Sequence, residues 1–306
     1  MSVEGNTYVE FLDVGQGDCT LVVDRSTAEA LVIDCIAGSA RAVLRRLQQV
    51  QVETLDVLIT HWDFDHYPGA VQIAKRFPAR NLYFNLDTVR PADASKRDRR
   101  QTTLLGLEDR ALEEARFYSA LEGCSGTVGE CTWRLLAPTQ REMLEAHNHE
   151  DRNHGSAVVE IASEGIRVLV GGDADGRVWQ RLLVDGTLKT VDVLRCAHHG
   201  GGLGRGAHAV NDGALLASLR PRALVVSTGT NNVHGYPRPE VIQAALAINS
   251  RVLCTQATPN YGAARLGPYL CAGNISIALD SGIIAPSEIE HEVRMAPLMP
   301  MCKPGW

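Results

Sequence analysis

The sequence predicts an α/β fold arranged as a four-layer αββα sandwich, with two β-sheets face to face and helices outside them. Two observations carry this expectation. Short β-branched runs punctuated by Gly and Asp turn residues open the chain, and from residue 156 strand-like and helix-like segments alternate to near residue 280. No Gly/Ser/Pro linker, internal repeat or low-complexity stretch divides the 306 residues. One domain over residues 1–280 is therefore expected, with a C-terminal extension, 281–306, packed on it.

In order along the chain, YVEFLDV (8–14), TLVVD (20–24) and ALVID (30–34) read as strands of an opening meander. Ser39 is placed to cap a helix in which Val43, Leu44 and Leu47 share one face, and the apolar LDVLIT (55–60) completes a β-α-β step. Leu104, Leu107, Ala111, Ala115, Tyr118 and Leu121 recur at helical spacing and Gly123 ends the run, which predicts an amphipathic helix over 102–122. The second half alternates SAVVEI (156–161), RVLV (167–170), a helical GRVWQRLLV (176–184) and VDVLRC (191–196). A helix near 212–219, the strand ALVVS (223–227) and the helical PEVIQAALAI (239–248) follow.

Composition narrows the function classes. The 30 Lys+Arg against 36 Asp+Glu give a net charge of −6, which excludes an overall polycation, and 45% hydrophobic with 22% charged residues excludes disordered and collagen-like chains. No apolar run approaches the roughly 18 residues of a membrane span, and MSVEGNTYVEF has no basic segment leading into an apolar one. The 8 cysteines include no C-x-x-C pair. An unexported, cytoplasmic protein without membrane insertion is expected.

The sharpest motif is His61-Trp62-Asp63-Phe64-Asp65-His66, where the strand LDVLIT ends and the chain must turn. Two imidazoles and two carboxylates converge there. A capped, salt-bridged loop is the plainer reading, but carboxylates this close repel one another and bound cations remove the repulsion. The spacing therefore points to a metal site. With carboxylates and imidazoles and no Cys, the donor set suits Mn²⁺ as well as Zn²⁺.

His61, Asp63, Asp65 and His66 resemble the signature of the metallo-β-lactamase superfamily, in the variant where its second His is replaced by Asp. That variant is similar to the hydrolase domain of ComEC-type DNA-uptake proteins and of phosphorylcholine esterases. Asp13-Val14-Gly15-Gln16-Gly17-Asp18, Asn153-x-x-Ser156, Gly172-Asp173-Ala174 and His198-His199-Gly200 extend the resemblance over roughly residues 8–240. It implies a metallo-β-lactamase fold and a metal-dependent hydrolase of phosphodiesters, a nuclease first, using a metal-bound hydroxide. Two divalent ions, Zn or Mn, about 3.5–4 Å apart would serve: His61 and Asp63 on one, Asp65 and His66 on the other, Asp173 bridging. One of His198 and His199 would be a ligand and its neighbour would face the substrate phosphate; which takes which role stays open. Ser156, Asn232 and Tyr236 would contact substrate.

One departure from the family pattern falls at Asn232-Val233-His234-Gly235-Tyr236-Pro237, where the aromatic and the imidazole are exchanged. Either His234 reaches the second metal from two residues earlier, or Tyr236 contacts substrate. His149 and His154 could compensate, or be surface histidines. Outside the motif, Cys254, Cys271, His291 and Cys302 form a set suited to structural zinc, against the plainer reading of buried cysteines. The basic run Arg90–Arg100 could touch a phosphate backbone or be a solvated loop, and GGGLGRG (200–206) could be a close-approach loop or a lid. The alternatives to a nuclease are a hydrolase of small esters (a phosphocholine ester, cyclic nucleotide or lactone) and a non-catalytic, metal-stabilised binding module. ComEC proteins carry this domain beside membrane helices, so action alone or with a separate partner subunit is expected.

Overall fold

β1 (Thr7–Phe11), β2 (Thr20–Asp24) and β3 (Glu29–Ile33) pair antiparallel as a meander. Helix α1 (Ala40–Gln49) then carries the chain to β4 (Thr54–Leu58), and α2 (Tyr67–Arg76) carries it to β5 (Ala79–Tyr83); both new strands join in parallel. The computed structural model describes residues 5–85, 115–203, 210–256, 258, 270–271, 273–281 and 284–286. With β6 (Arg116–Tyr118), β15 (Ile275–Ala278) and β16 (Ile284–Pro286), these strands make the first sheet, ordered β16-β15-β1-β2-β3-β4-β5-β6.

The second sheet begins with the antiparallel strands β7 (Ser125–Val128), β8 (Cys131–Ala137), β9 (Val158–Ser163) and β10 (Ile166–Val170). It continues in parallel through β11 (Val193–Arg195), β12 (Ala223–Val226), β13 (Arg251–Cys254) and β14 (Leu270–Cys271). The connecting helices are α3 (Gln140–His149), α4 (Gly176–Val184), α5 (Asp212–Leu219) and α6 (Pro239–Ala247).

Three apolar clusters fix the layers. Val9, Phe11, Leu31 and Leu58 of the first sheet pack on Trp133, Ile161, Val168 and Val225 of the second, so the two sheets share a core. Val43 and Leu47 of α1 and Ile73 of α2 close the outer face of the first sheet. Val178, Leu216 and Ile242, from α4, α5 and α6, close the outer face of the second. The expected four-layer sandwich is thus observed, because alternate residues of each strand face the shared core and the helices.

Several local expectations change. Ser39 stands at the N-cap of α1, but a 3₁₀ turn over Ala37–Ser39 leads into the helix and the hydroxyl makes no capping bond. Arg116–Tyr118, assigned to a helix over 102–122, is instead a strand paired parallel to β5. Its aromatics drive this: Tyr118 stacks on Tyr83 with ring centroids 5.2 Å apart, and Phe117 meets Phe84 edge-on. Residues 102–114 of that expected helix, and the basic run 90–100, lie outside the described residues. Past residue 280, β16 pairs with β15, so part of the expected extension is a strand of the first sheet. Cys254 is buried. His291 and Cys302, and the side chain of Cys271, lie outside the described residues. No described helix is long and apolar enough to cross a membrane.

Candidate metal centre

Three turns at strand ends bring the polar side chains together. The first follows β4. Thr60–His66 leads into α2, which has Pro68 at its start, and the His66 amide donates to the Asp63 carbonyl at 2.9 Å. The second follows β10, where Gly172 adopts φ +51° and a β-carbon would stand 2.5 Å from Ser156 Oγ; only glycine fits this turn, which delivers Asp173. The third follows β11, where His198 and His199 sit at φ +51° and +52°, backbone positions uncommon outside glycine.

The first turn and Asp173 meet in one buried cluster. His61 Nε2 lies 3.6 Å from Asp63 Oδ2 and 3.9 Å from Asp173 Oδ2. His66 Nε2 lies 3.3 Å from the other oxygen, Asp173 Oδ1, and His199 Nε2 lies 3.2 Å from Asp65 Oδ2. Asp173 thus presents one oxygen to each histidine of the motif. The His61 and His66 rings are 4.1 Å apart by centroid, and His66 and His199 5.5 Å.

What lies behind the rings sets which nitrogen faces inward. His66 Nδ1 donates to Asp34 Oδ2 at 2.8 Å, and His199 Nδ1 donates to the Ser227 carbonyl at 2.9 Å. His61 Nδ1 lies 3.1 Å from Thr60 Oγ1 and 3.3 Å from Ser156 Oγ. Each ring therefore spends its Nδ1 edge on the protein and turns Nε2 to the cluster, the arrangement that orients imidazole ligands. Asp34 also accepts from the Thr60 amide at 2.8 Å and hydroxyl at 2.6 Å. Asp18 ion-pairs with buried Arg195, whose Nη1 donates to the Gly172 carbonyl at 2.7 Å.

The donor set fits a divalent cation. His61 Nε2, His66 Nε2 and Asp173 Oδ1 are buried and without hydrogen-bond partners among the described residues, and they face one another. Asp18, His66, Asp173 and His199 each offer a ligand atom within 4.8 Å of the others. Asp18, however, lies 3.6 Å from His66 Nδ1 and 3.9 Å from His199 Nδ1, the edges already engaged by Asp34 and Ser227. Its Oδ2 is a counter-charge to Arg195 behind the rings, while its buried Oδ1 has no hydrogen-bond partner among the described residues. The electrostatics agree with a site that attracts positive charge. Burial opposes charge on His66, yet Asp173 and Asp34 hold its imidazole well above the ordinary value. Burial likewise opposes the Asp63 carboxylate, but His61 and Arg152, whose Nη1 is 3.0 Å away, hold it down to about 2.

The other expected site residues divide. His198 does not enter the cluster; its ring meets Tyr236 edge-on at 5.5 Å, and both line a cleft of about 660 Å³ beside the centre. His234, expected as a ligand, is exposed and stacks on the outer side of Tyr236 at 5.3 Å, so the cluster is built without it. Ser156 and Asn232, expected at substrate, are spent inside the protein. Ser156 is fully buried and its Oγ accepts from the Asp173 amide at 3.0 Å. The Asn232 amide donates to the Gly229 and Tyr236 carbonyls at 2.9 Å, and its Oδ1 accepts from the Tyr236 amide at 2.7 Å, bracing the turn. His149 lines the cleft; His154 is held in a separate ion-pair network between Asp175 and Glu145. Asp34, Arg195 and the Ser227 carbonyl were not singled out from sequence. Asp34 alone left a signal there, a carboxylate ending an otherwise apolar strand.

Comparison with known proteins places this geometry. Residues 12–228 match the family model of the metallo-beta-lactamase superfamily. No curated protein matches the chain. Among solved structures, the metallo-beta-lactamase fold protein YhfI from Bacillus subtilis is similar with a TM-score of 0.50 and 13% identity, over 81% of this chain and 96% of that one. A CmlA beta-hydroxylase variant is similar with a TM-score of 0.52 and 13% identity, over 89% of this chain and 54% of that one. A hydroxylase on this fold means that the fold alone does not choose the reaction. The family match spans every strand end that delivers the clustered side chains, from the Asp18 turn through Asp173 to His199, and on it the chain belongs to the metallo-β-lactamase superfamily.

Proposed function

We propose that the protein is a metal-dependent phosphodiesterase whose substrate is nucleic acid. The observation that carries this reading is Asp173, which turns one carboxylate oxygen to His61 and the other to His66 while an open cleft adjoins the cluster. His61, Asp63 and one oxygen of Asp173 would hold a first divalent ion; His66, Asp65, His199 and the other oxygen would hold a second, each Zn or Mn. Bound there, the ions supply Lewis acidity toward a phosphoryl oxygen and lower the pKa of water.

The remaining work falls to the protein. Asp34 and Ser227 fix the inward-facing nitrogens of His66 and His199, Arg195 balances Asp18, and the cleft wall orients the substrate. His198 stands on that wall, and burial pushes its imidazole below the ordinary value, so near neutral pH it offers an uncharged ring to hydrogen-bond a phosphate oxygen. The resemblance of His61-x-Asp63-x-Asp65-His66 to ComEC-type hydrolase domains supports the nucleic-acid reading, and its resemblance to phosphorylcholine esterases makes a phosphocholine ester the first alternative.

The test is Mn²⁺- or Zn²⁺-loaded protein against single-stranded DNA, duplex DNA and RNA, with Asp173→Ala as the control for contaminating nuclease. Cleavage by the wild type, lost by roughly a thousandfold or more in the variant, is expected. Equal cleavage by both proteins would place the activity elsewhere. Silence of both with either metal would move the reading to small phosphoesters or to an enzyme needing a partner subunit.

A further inference from the structure

We propose that Arg238 is a specificity-determining residue that binds a second phosphate of the substrate, so that the enzyme prefers a strand with a phosphate flanking the scissile one. The inference rests on the phosphodiesterase reading for its reaction and on the cleft for its site.

Among the described residues, two arginines line the cleft, Arg177 and Arg238. Arg177 is already neutralised: its Nη2 is 2.5 Å from Asp151 Oδ2 and its Nε donates to Asp175 Oδ2 at 2.7 Å. Arg152, near the metal cluster, is paired with Asp63. Arg238 differs. Its amide donates to the Gly200 carbonyl at 2.9 Å, which ties its backbone to the His198–His199 turn. Its guanidinium makes no hydrogen bond or ion pair among the described residues. Asp212 stands across Gly202, where a β-carbon would lie 3.6 Å from both Arg238 Cδ and Asp212 Oδ2; the guanidinium acts on that carboxyl through space, but the two form no hydrogen bond or ion pair among the described residues.

Position supports the role. Tyr236 and Arg238 line the cleft together with His198. Gly201 lets the Tyr236 ring lie against the backbone, since a β-carbon there would be 2.6 Å from Tyr236 Cζ. The cleft lining therefore carries His198, next in the chain to His199 of the cluster, Tyr236 in edge-on contact with it, and half-buried Arg238, tied by its amide to Gly200 of the same turn. A planar fork of donors in partial shelter from water is matched to a phosphate rather than to a cationic choline head or an uncharged lactone.

The test compares TpT, with one phosphodiester, and TpTpT, with two, as substrates of the Mn²⁺-loaded enzyme and its Arg238→Ala, Arg238→Lys and Arg177→Ala variants. The ratio of kcat/KM for TpTpT over TpT is expected to fall roughly 10- to 100-fold in Arg238→Ala, with partial recovery in Arg238→Lys. In parallel, binding of a fluorescent phosphorothioate (dT)4 is followed against salt. The slope of log affinity should shrink by about 0.7 in Arg238→Ala and hold in Arg238→Lys and Arg177→Ala. An unchanged ratio together with an unchanged slope in Arg238→Ala overturns the proposal. So does an equal loss of slope in Arg177→Ala, which would mean a general field rather than one site. If neither dinucleotide nor trinucleotide is cleaved but the slope still depends on Arg238, the phosphodiesterase reading fails and the phosphate site stands.

Discussion

Asp34 shows how much of the centre rests on one residue outside the motif. It sits at φ +56°, a strained position for a non-glycine, and both of its oxygens are occupied by the Thr60 amide, the Thr60 hydroxyl and His66 Nδ1. An Asn of the same shape would keep one acceptor but set its NH₂ against a donor, so the His66 ring would lose its fixed tautomer. Asp34→Asn is therefore expected to weaken divalent-metal binding by roughly 10- to 100-fold while the fold survives. Titration of metal against a chromophoric chelator reads this directly, and unchanged affinity would show that His66 is held by packing alone. The motif residues are close in sequence and chemically unusual, so sequence alone groups them as candidates. Asp34, Arg195 and the Ser227 carbonyl are not so grouped, because they reach the cluster only through the tertiary fold. Ser156 and Asn232, expected at substrate, make their hydrogen bonds inside the protein, and a polar residue near a site looks the same in sequence whether its bonds go to substrate or to backbone.

At the scale of elements, α3 and α4 are joined through His154. Thr139 and Glu142 form a capping box at the start of α3, and Asp175 caps α4 by accepting from the Arg177 and Val178 amides. Between the helices, buried His154 places Nδ1 3.1 Å from Asp175 Oδ1 and Nε2 3.2 Å from Glu145 Oε2. Both nitrogens facing carboxylates favour the imidazolium. Burial opposes it, but Asp175 leads the contributions that leave the pKa raised above its ordinary value. A raised folded pKa gives stability that is fully present below the unfolded value, about 6.5, and is lost as pH rises through the folded value. His154→Gln should therefore lower the Tm most near pH 6, with the gap to wild type narrowing as pH rises above about 7. Melting curves from pH 5.5 to 9 check it; a gap constant with pH would mean that His154 contributes only packing. Strands and helices of the second half were readable because their apolar periods are clean. The segment ending at Leu121 was not, since Ala115, Tyr118 and Leu121 at helical spacing also suit a short edge strand whose aromatics pack on Tyr83 and Phe84.

For the whole molecule, the consequential fact is that the centre is assembled from both sheets. His61, Asp63, Asp65 and His66 follow β4 of the first sheet, whereas Asp173 and His199 follow β10 and β11 of the second. Arg195 and Asp18 cross the same boundary. A bound cation would then tie the two halves together over the shared core of Phe11, Leu58, Trp133 and Ile161. Any ligand that binds only the folded state stabilises it by mass action, about 2.7 kcal/mol at a hundredfold excess over Kd. Adding Mn²⁺ or Zn²⁺ to EDTA-treated protein should accordingly raise the Tm by several degrees. Asp173→Asn should remove most of that rise, because it weakens the carboxylate that both histidines of the motif face. The contrast is a truncation in the core: Ile161→Ala should cost about 2–5 kcal/mol with or without metal, since it leaves the cluster intact. If the two changes act at separate places their effects on stability add to within about 0.5 kcal/mol, and the metal-dependent rise persists in Ile161→Ala. Loss of the rise in the core variant would mean that the sheets separate slightly and the two sets of ligands no longer meet. The centre would then report on the packing between the halves as well as on its own chemistry.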